Sequence, residues 1–117
     1  MDLDLKRFER PDETRVFEKG RFELVTIGGL TLGRATYDPG WKWSVHVRPL
    51  AGTELCEVSH VGMVVSGRCA IAMKDGRTIE IAPGDLFSVG PGHDSWVVGS
   101  EPYVSLHFLG AGDYAKG

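Results

Sequence analysis

The chain has 117 residues, 42% of them hydrophobic and 25% charged, with a formal net charge of -3. That is the make-up of one globular domain with a single core; it excludes a membrane helix, which takes ~18 consecutive apolar residues, and offers nucleic acid no basic surface. The opening MDLDLKRFER lacks the apolar stretch of an export signal, and two cysteines, Cys56 and Cys69, make no disulfide framework, so a cytoplasmic location is expected.

There are 16 glycines and neither Asn nor Gln, so the chain turns often and no side-chain amide can serve a site. Residues 1–14 mix both charge signs and break at Pro11-Asp12, forming an arm that frays or packs across a sheet. RVFE (15–18) leads into RFELVTI (21–27), and Gly28-Gly29 turns the chain into LTLGRATY (30–37). After Asp38-Pro39-Gly40, WKWSVHVR (41–48) alternates as a strand does. Trp41, Trp43, Val45 and Val47 share one face, and Lys42, Ser44, His46 and Arg48 the other.

ELCEVSHVGMVVSG (54–67) predicts a further strand with Cys56, Val58, His60, Gly62 and Val64 on one face. Along it Cys56 and His60 lie ~14 Å apart, far for two ligands of one ion unless a bulge intervenes. RCAIAMK (68–74) and RTIEIA (77–82) flank Asp75-Gly76, read as a two-residue type I′ hairpin with φ > 0 twice. Pro83-Gly84-Asp85 opens DLFSVG, Pro91-Gly92 turns it, and SWVVG and PYVSLHFLG finish the sheet. The tail over 110–117 is expected to fray, with Tyr114 as its one anchor. No segment shows helical periodicity, and about ten short strands predict an all-β sandwich or barrel in one domain spanning 1–117.

The chemistry gathers on histidine. His46, His60 and His93 fall on separate elements, and neutral imidazole ligates zinc, iron, nickel and copper; three with an open position make a catalytic or ligand-binding centre. Each can equally be a hydrogen-bonded barrel histidine. His107 faces inward only if Ser105 does, since the two share a strand face. Trp41 and Trp43 read as sheet-to-sheet core or as pocket walls, and Trp96, beside Ser95, as a pocket wall. Arg48 can fork onto a ligand carboxylate or be a solvated strand end. Cys56 and Cys69 read as small buried thiols. With no phosphate cradle and no nucleophile elbow, covalent catalysis is not expected.

Over roughly residues 30–109 the chain resembles the cupin family. Gly40 precedes His46 by the interval of the first cupin motif, whose second His position holds Arg48 and whose usual Glu, seven residues before Gly67, is His60. The second motif is visible as Pro83-Gly84-Asp85 and Gly90-Pro91-Gly92, with Ser95 at its His position and His93 two residues earlier on the same strand parity. The segments PGWKWSVHV, CEVSH, PGHDSW and Asp113-Tyr114-Ala115 are similar to those of bacterial single-domain cupins of unassigned role.

The resemblance implies a double-stranded β-helix, or jelly-roll barrel, with a divalent zinc, iron, nickel or manganese ion held by His46, His60 and His93. It implies a small-molecule ligand walled by Trp41, Trp43, Trp96, Arg48 and His107. The function is then a metal-dependent enzyme acting on a small metabolite, a non-catalytic ligand sensor, or a metal-free isomerase with His as base. It also implies a homodimer, since cupins pair through outer strands and residues 15–27 supply an apolar edge.

Overall fold

Period-two alternation becomes nine antiparallel strands in the computed structural model, which describes residues 3–116. They are β1 (Glu13–Phe17), β2 (Gly20–Ile27), β3 (Leu30–Tyr37), β4 (His60–Ser66), β5 (Arg68–Met73), β6 (Thr78–Ile81), β7 (Leu86–Val89), β8 (His93–Val98) and β9 (Tyr103–Leu109). Six form one sheet in the order β1-β2-β3-β9-β4-β7, and three form a second, β6-β5-β8. Alternate side chains of both sheets meet in one core, with Phe22, Ala35 and Val64 from the large sheet facing Cys69, Ile71 and Val97 from the small one.

The two-residue type I′ geometry belongs to Gly28-Gly29, where φ is 58° and 79° and Ile27 pairs with Leu30. Asp75-Gly76 is a different turn, correcting the sequence reading. Only Gly76 has positive φ, at 96°, and its N–H donates to Met73 O at 2.9 Å while Met73 N–H donates to Arg77 O at 2.8 Å. That is a three-residue loop closed by a left-handed glycine, which Asp75 fits without straining its own backbone.

The stretch predicted as a strand over 41–48 is instead two short helical turns, α1 (Trp43–His46) and α2 (Arg48–Ala51). Pro49 sits in the first turn of α2, where its missing N–H costs nothing, whereas a central strand would have lost a ladder bond. The Asp94 carboxylate holds α1 by accepting from Ser44 N–H at 3.0 Å and Ser44 Oγ at 2.7 Å. Trp43 and Val47, four apart, are buried together, while Val45 is 58% exposed.

The predicted strand over 54–67 is regular only from His60. Before it, Cys56 makes an isolated bridge to His93, donating its N–H to His93 O at 2.8 Å. The tail is ordered as far as residue 116, against the expectation of fraying. Ala111–Asp113 forms a 3₁₀ turn, and Tyr114 and Ala115 are buried behind it. Arg15 Nη1 donates to Tyr114 O at 2.6 Å and Gly112 O at 3.0 Å, and Tyr37 Oη donates to Tyr114 Oη at 2.7 Å. Residues 1, 2 and 117 lie outside the described part, so the expected arm and tail are seen without those ends.

Candidate metal centre

His60 begins β4, His93 begins β8 and His107 lies on β9, and all three side chains are buried against one another. His60 stands edge-on to both neighbours, with ring centroids 5.4 Å from His93 and 5.2 Å from His107. Strand register explains the place of His107: it pairs with Gly33 on β3 and Gly62 on β4. Where those glycines lack side chains, the rings of Phe22 and Phe87 move in, and both meet the imidazole edge-on, at 5.2 and 5.7 Å. A side chain at Gly62 would also strike the Leu106 carbonyl.

Cys56 completes the group. Residues 57–59 lie outside any strand, and the Cys56 Sγ is 3.5 Å from His60 Nε2 rather than a strand's length away. Ligand atoms of Cys56, His60 and His93 all lie within 4.8 Å of one another, and all three residues are buried. The His93 tautomer is fixed by geometry: a carbonyl can only accept, so Nδ1–H donates to Gly90 O at 2.7 Å and Nε2 keeps its lone pair for the cavity. His60 Nδ1 and His107 Nδ1 are buried with no partner, while His107 Nε2 shares a 3.0 Å hydrogen bond with Ser105 Oγ. Unsatisfied buried imidazole nitrogens are uncommon in an interior closed to guests.

Burial keeps these rings neutral. It lowers His107 to about 4, and together with the neighbouring His107 and His93 it lowers His60 to about 3. His93 is lowered too, by burial, with the Gly90 hydrogen bond opposing. Burial pushes the Cys56 thiol up to about 11. Two neutral imidazoles and a thiol that gives up its proton to an ion form a chemically reasonable donor set for a borderline-soft divalent metal.

The cavity measures about 40 Å³ and is lined by His60, His93, His107, Ser95, Tyr103 and Tyr114 among others. Trp43 and Tyr114 also border a hollow of about 140 Å³ outside it, which Cys56 lines as well. Trp43 and Tyr114, which line both, form the partition between the two hollows.

Three residues expected at the site lie elsewhere. His46 is carried on α1; its Nδ1 accepts Lys42 N–H at 3.0 Å and its Nε2 lies 3.9 Å from the Glu18 carboxylate, away from the cavity. Arg48 is exposed and donates to Glu54 O at 2.9 Å. Trp96 has the opposite parity to His93 and Ser95 on β8, so its ring faces outward under Lys42 Nζ, 5.5 Å away. Trp41 is core, stacked on Tyr37 at 3.7 Å with 7° between planes, and of the expected walls Trp43 and His107 line the cavity. Cys56 was set aside as a partner of His60 because a regular strand would hold the two apart, whereas residues 57–59 belong to no strand.

No family model and no curated protein matches the chain. Solved structures do. The oxalate decarboxylase of Lactobacillus farciminis, solved as a formate complex, superposes with a TM-score of 0.61 at 17% identity over 86% of this chain and 30% of its own. A protein of unknown function from Rhizobium leguminosarum bv. viciae 3841 gives 0.59 at 20% identity, over 92% of this chain and 95% of that one. CapF, solved with the inhibitor 3-isopropenyl-tropolone, gives 0.58 at 17% identity over 84% and 30%. The chain thus spans less than a third of the decarboxylase. These likenesses concern the fold: two antiparallel sheets closing on an interior fed by β4, β8 and β9 are the double-stranded β-helix of the cupins, and that is the fold of this chain.

Proposed function

We propose that the barrel holds a divalent transition-metal ion through Cys56, His60 and His93 and binds a very small ligand beside it. The observation that carries this reading is the convergence of three buried ligand atoms within 4.8 Å. A thiolate among two imidazoles favours zinc, iron or nickel over manganese, and over the oxygen-loving magnesium and calcium. Bound there, such an ion would act as a Lewis acid on a carbonyl or carboxylate.

The chain's own residues supply the rest. Gly90 O orients His93 through Nδ1–H, Trp43 and Tyr114 line the cavity towards the outer hollow, and Ser105 with His107 makes one wall of the cavity polar. About 40 Å³ admits a few water-sized groups, so formate or oxalate, the ligand and substrate named for the decarboxylase of the same fold, are the first molecules to try. The same small volume supports a second reading, a ligand sensor that binds without turnover. Two buried, unpaired cysteines suit a reducing compartment such as the cytoplasm. No helix among the described residues is long and apolar enough to cross a membrane.

The test is elemental analysis of protein purified without a histidine tag, comparing the native chain with His60→Ala and Cys56→Ser, each checked for strand structure by circular dichroism. Stoichiometric zinc, iron or nickel in the native chain and its loss in both variants is expected. Native protein that takes up no transition metal, or folded variants that hold it undiminished, would sink the reading. Turnover of formate or oxalate by the loaded protein separates the enzyme from the sensor.

A further inference from the structure

The polar lining of the cavity is histidine, serine and tyrosine, with no Asp, Glu, Lys or Arg among the described residues. Each of these side chains carries a hydrogen, so the places its protons take decide what the cavity can hold.

Ser105 is fully buried, and its hydroxyl meets His107 Nε2 at 3.0 Å. The hydroxyl has one proton to give, and an imidazole nitrogen is a strong acceptor. Oγ–H therefore donates to Nε2, and the ring proton of His107 stands on Nδ1. That Nδ1 is buried and has no partner. His60 repeats the pattern. Its Nε2 faces the Cys56 thiol at 3.5 Å. Whether that lone pair takes the thiol proton or a metal ion, the ring proton is left on Nδ1, again buried without a partner. Tyr114 supplies a third donor: its Oη accepts the Tyr37 proton at 2.7 Å and still has its own to give.

These three side chains stand together. Ring centroids of His60, His107 and Tyr114 are 5.1 to 6.1 Å apart, all three residues line the cavity, and each is more than nine-tenths buried. Buried donors without acceptors are costly, and an anionic oxygen relieves that cost better than a neutral one.

We propose that His60, His107 and Tyr114 form a three-donor site for a small oxoanion, a carboxylate or an inorganic anion of similar size. It lies on the side of the His60 ring away from Cys56, since the two imidazole nitrogens point in different directions. The proposal rests on the cavity being a ligand site but not on the ion, because either occupant of Nε2 leaves the same donor. A guest that brings hydrogens of its own fares worse. The lone pair open to them is His93 Nε2, which belongs to the Cys56–His60 group. Amides, amines and alcohols of equal size are thereby selected against.

The probes are formate, the smallest carboxylate, and formamide, which nearly matches its shape. Each is titrated into metal-free protein, with sodium chloride at equal ionic strength as control. Imidazole nitrogen-15 shifts follow binding and report which ring nitrogen is protonated. The expected result is Nδ1–H on both His60 and His107 and saturable formate binding that moves both signals. Formamide should bind ~10-fold or more weakly, the loss of a charge-assisted hydrogen bond. His107→Phe removes one donor and should weaken formate by ~10-fold or more. Ser105→Ala should free the His107 tautomer and weaken formate less. Circular dichroism checks that each variant keeps its strands, and the tautomer is read on the native chain whether or not they do. A proton on His107 Nε2 in the native protein, no saturable formate binding, or formamide bound as tightly as formate would overturn the proposal. No metal enters these readouts, so failure here leaves the Cys56–His60–His93 centre untouched, and the converse holds.

Discussion

The hydroxyl pair Tyr37–Tyr114 is where the tail is pinned over the cavity, and it invites a double-mutant cycle. Both rings are buried, and the Tyr37 O–H donates to Tyr114 Oη at 2.7 Å. Tyr114→Phe leaves a buried donor with no acceptor, and a buried unsatisfied hydroxyl costs about 1–3 kcal/mol. For 117 residues the unfolding entropy is about 0.25 kcal/mol/K, so a loss near 2 kcal/mol should lower Tm by roughly 8 °C. Tyr37→Phe should cost a similar amount, since it strands the other hydroxyl. The double variant should cost less than the two singles together, because it removes both partners at once. Calorimetry of the four proteins, free of metal, measures the coupling. Singles that change Tm by less than a degree or so, or a double variant that is fully additive, would refute a bonded pair holding the tail.

Shortening the same residue should open the site. Tyr114→Ala removes part of the partition and should cost about 3–5 kcal/mol; a thiol reagent that reaches Cys56 slowly in the native protein, where it is 2% exposed, should label it much faster. Unchanged labelling would mean that Tyr114 does not close the cavity. Acid should destabilise the metal-free protein earlier than carboxylates alone would. His107 and His60 titrate near 4 and 3 when folded and near 6.5 when unfolded, so the unfolded chain binds protons first. Stability is level above about pH 7 and falls as pH drops from 6.5 towards 4. His107 alone contributes about 3 kcal/mol of that loss. The exposed acids Glu9, Asp12 and Asp75 act in the same direction but only below about pH 4.5. Denaturant titrations from pH 7 to 4.5, with His107→Gln as control, should show a slope that the variant reduces; an identical slope would show that His107 is not held neutral by the fold.

Alternation carried most of the fold. Phe22 and Leu24 lie on the inner face that period two assigns them, Ser105 and His107, whose parity the sequence left open, both point inward, and the glycine turns fall between strands as read. The stretch 41–48 misled because alternation and a helical turn both bury Trp43 and Val47; the difference rests on Val45, buried in one and exposed in the other. That error carried His46 and Arg48 into the site on paper, whereas His46 packs beside Lys42 and Glu18 and Arg48 is exposed beside Glu54. The site was less legible for a physical reason. His60 and His93 come together in the interior while Trp96, expected as a wall, has the opposite parity on its strand, and Cys56 reaches His60 through three residues outside any strand and a bridge to His93 far along the chain. No local pattern encodes such a contact.

The place of β9 has a consequence for how the protein is made. It lies between β3 and β4 in the large sheet, although 65 residues separate Tyr37 from Tyr103. A ribosome exposes β3 and β4 well before it exposes β9, and each then offers an open edge to any neighbouring nascent chain. The large sheet closes only when Leu109 has emerged, and the tail that roofs the cavity follows within a few residues. A chain stalled before Tyr103 is left with two sticky edges and no lid, a natural substrate for chaperones or proteases.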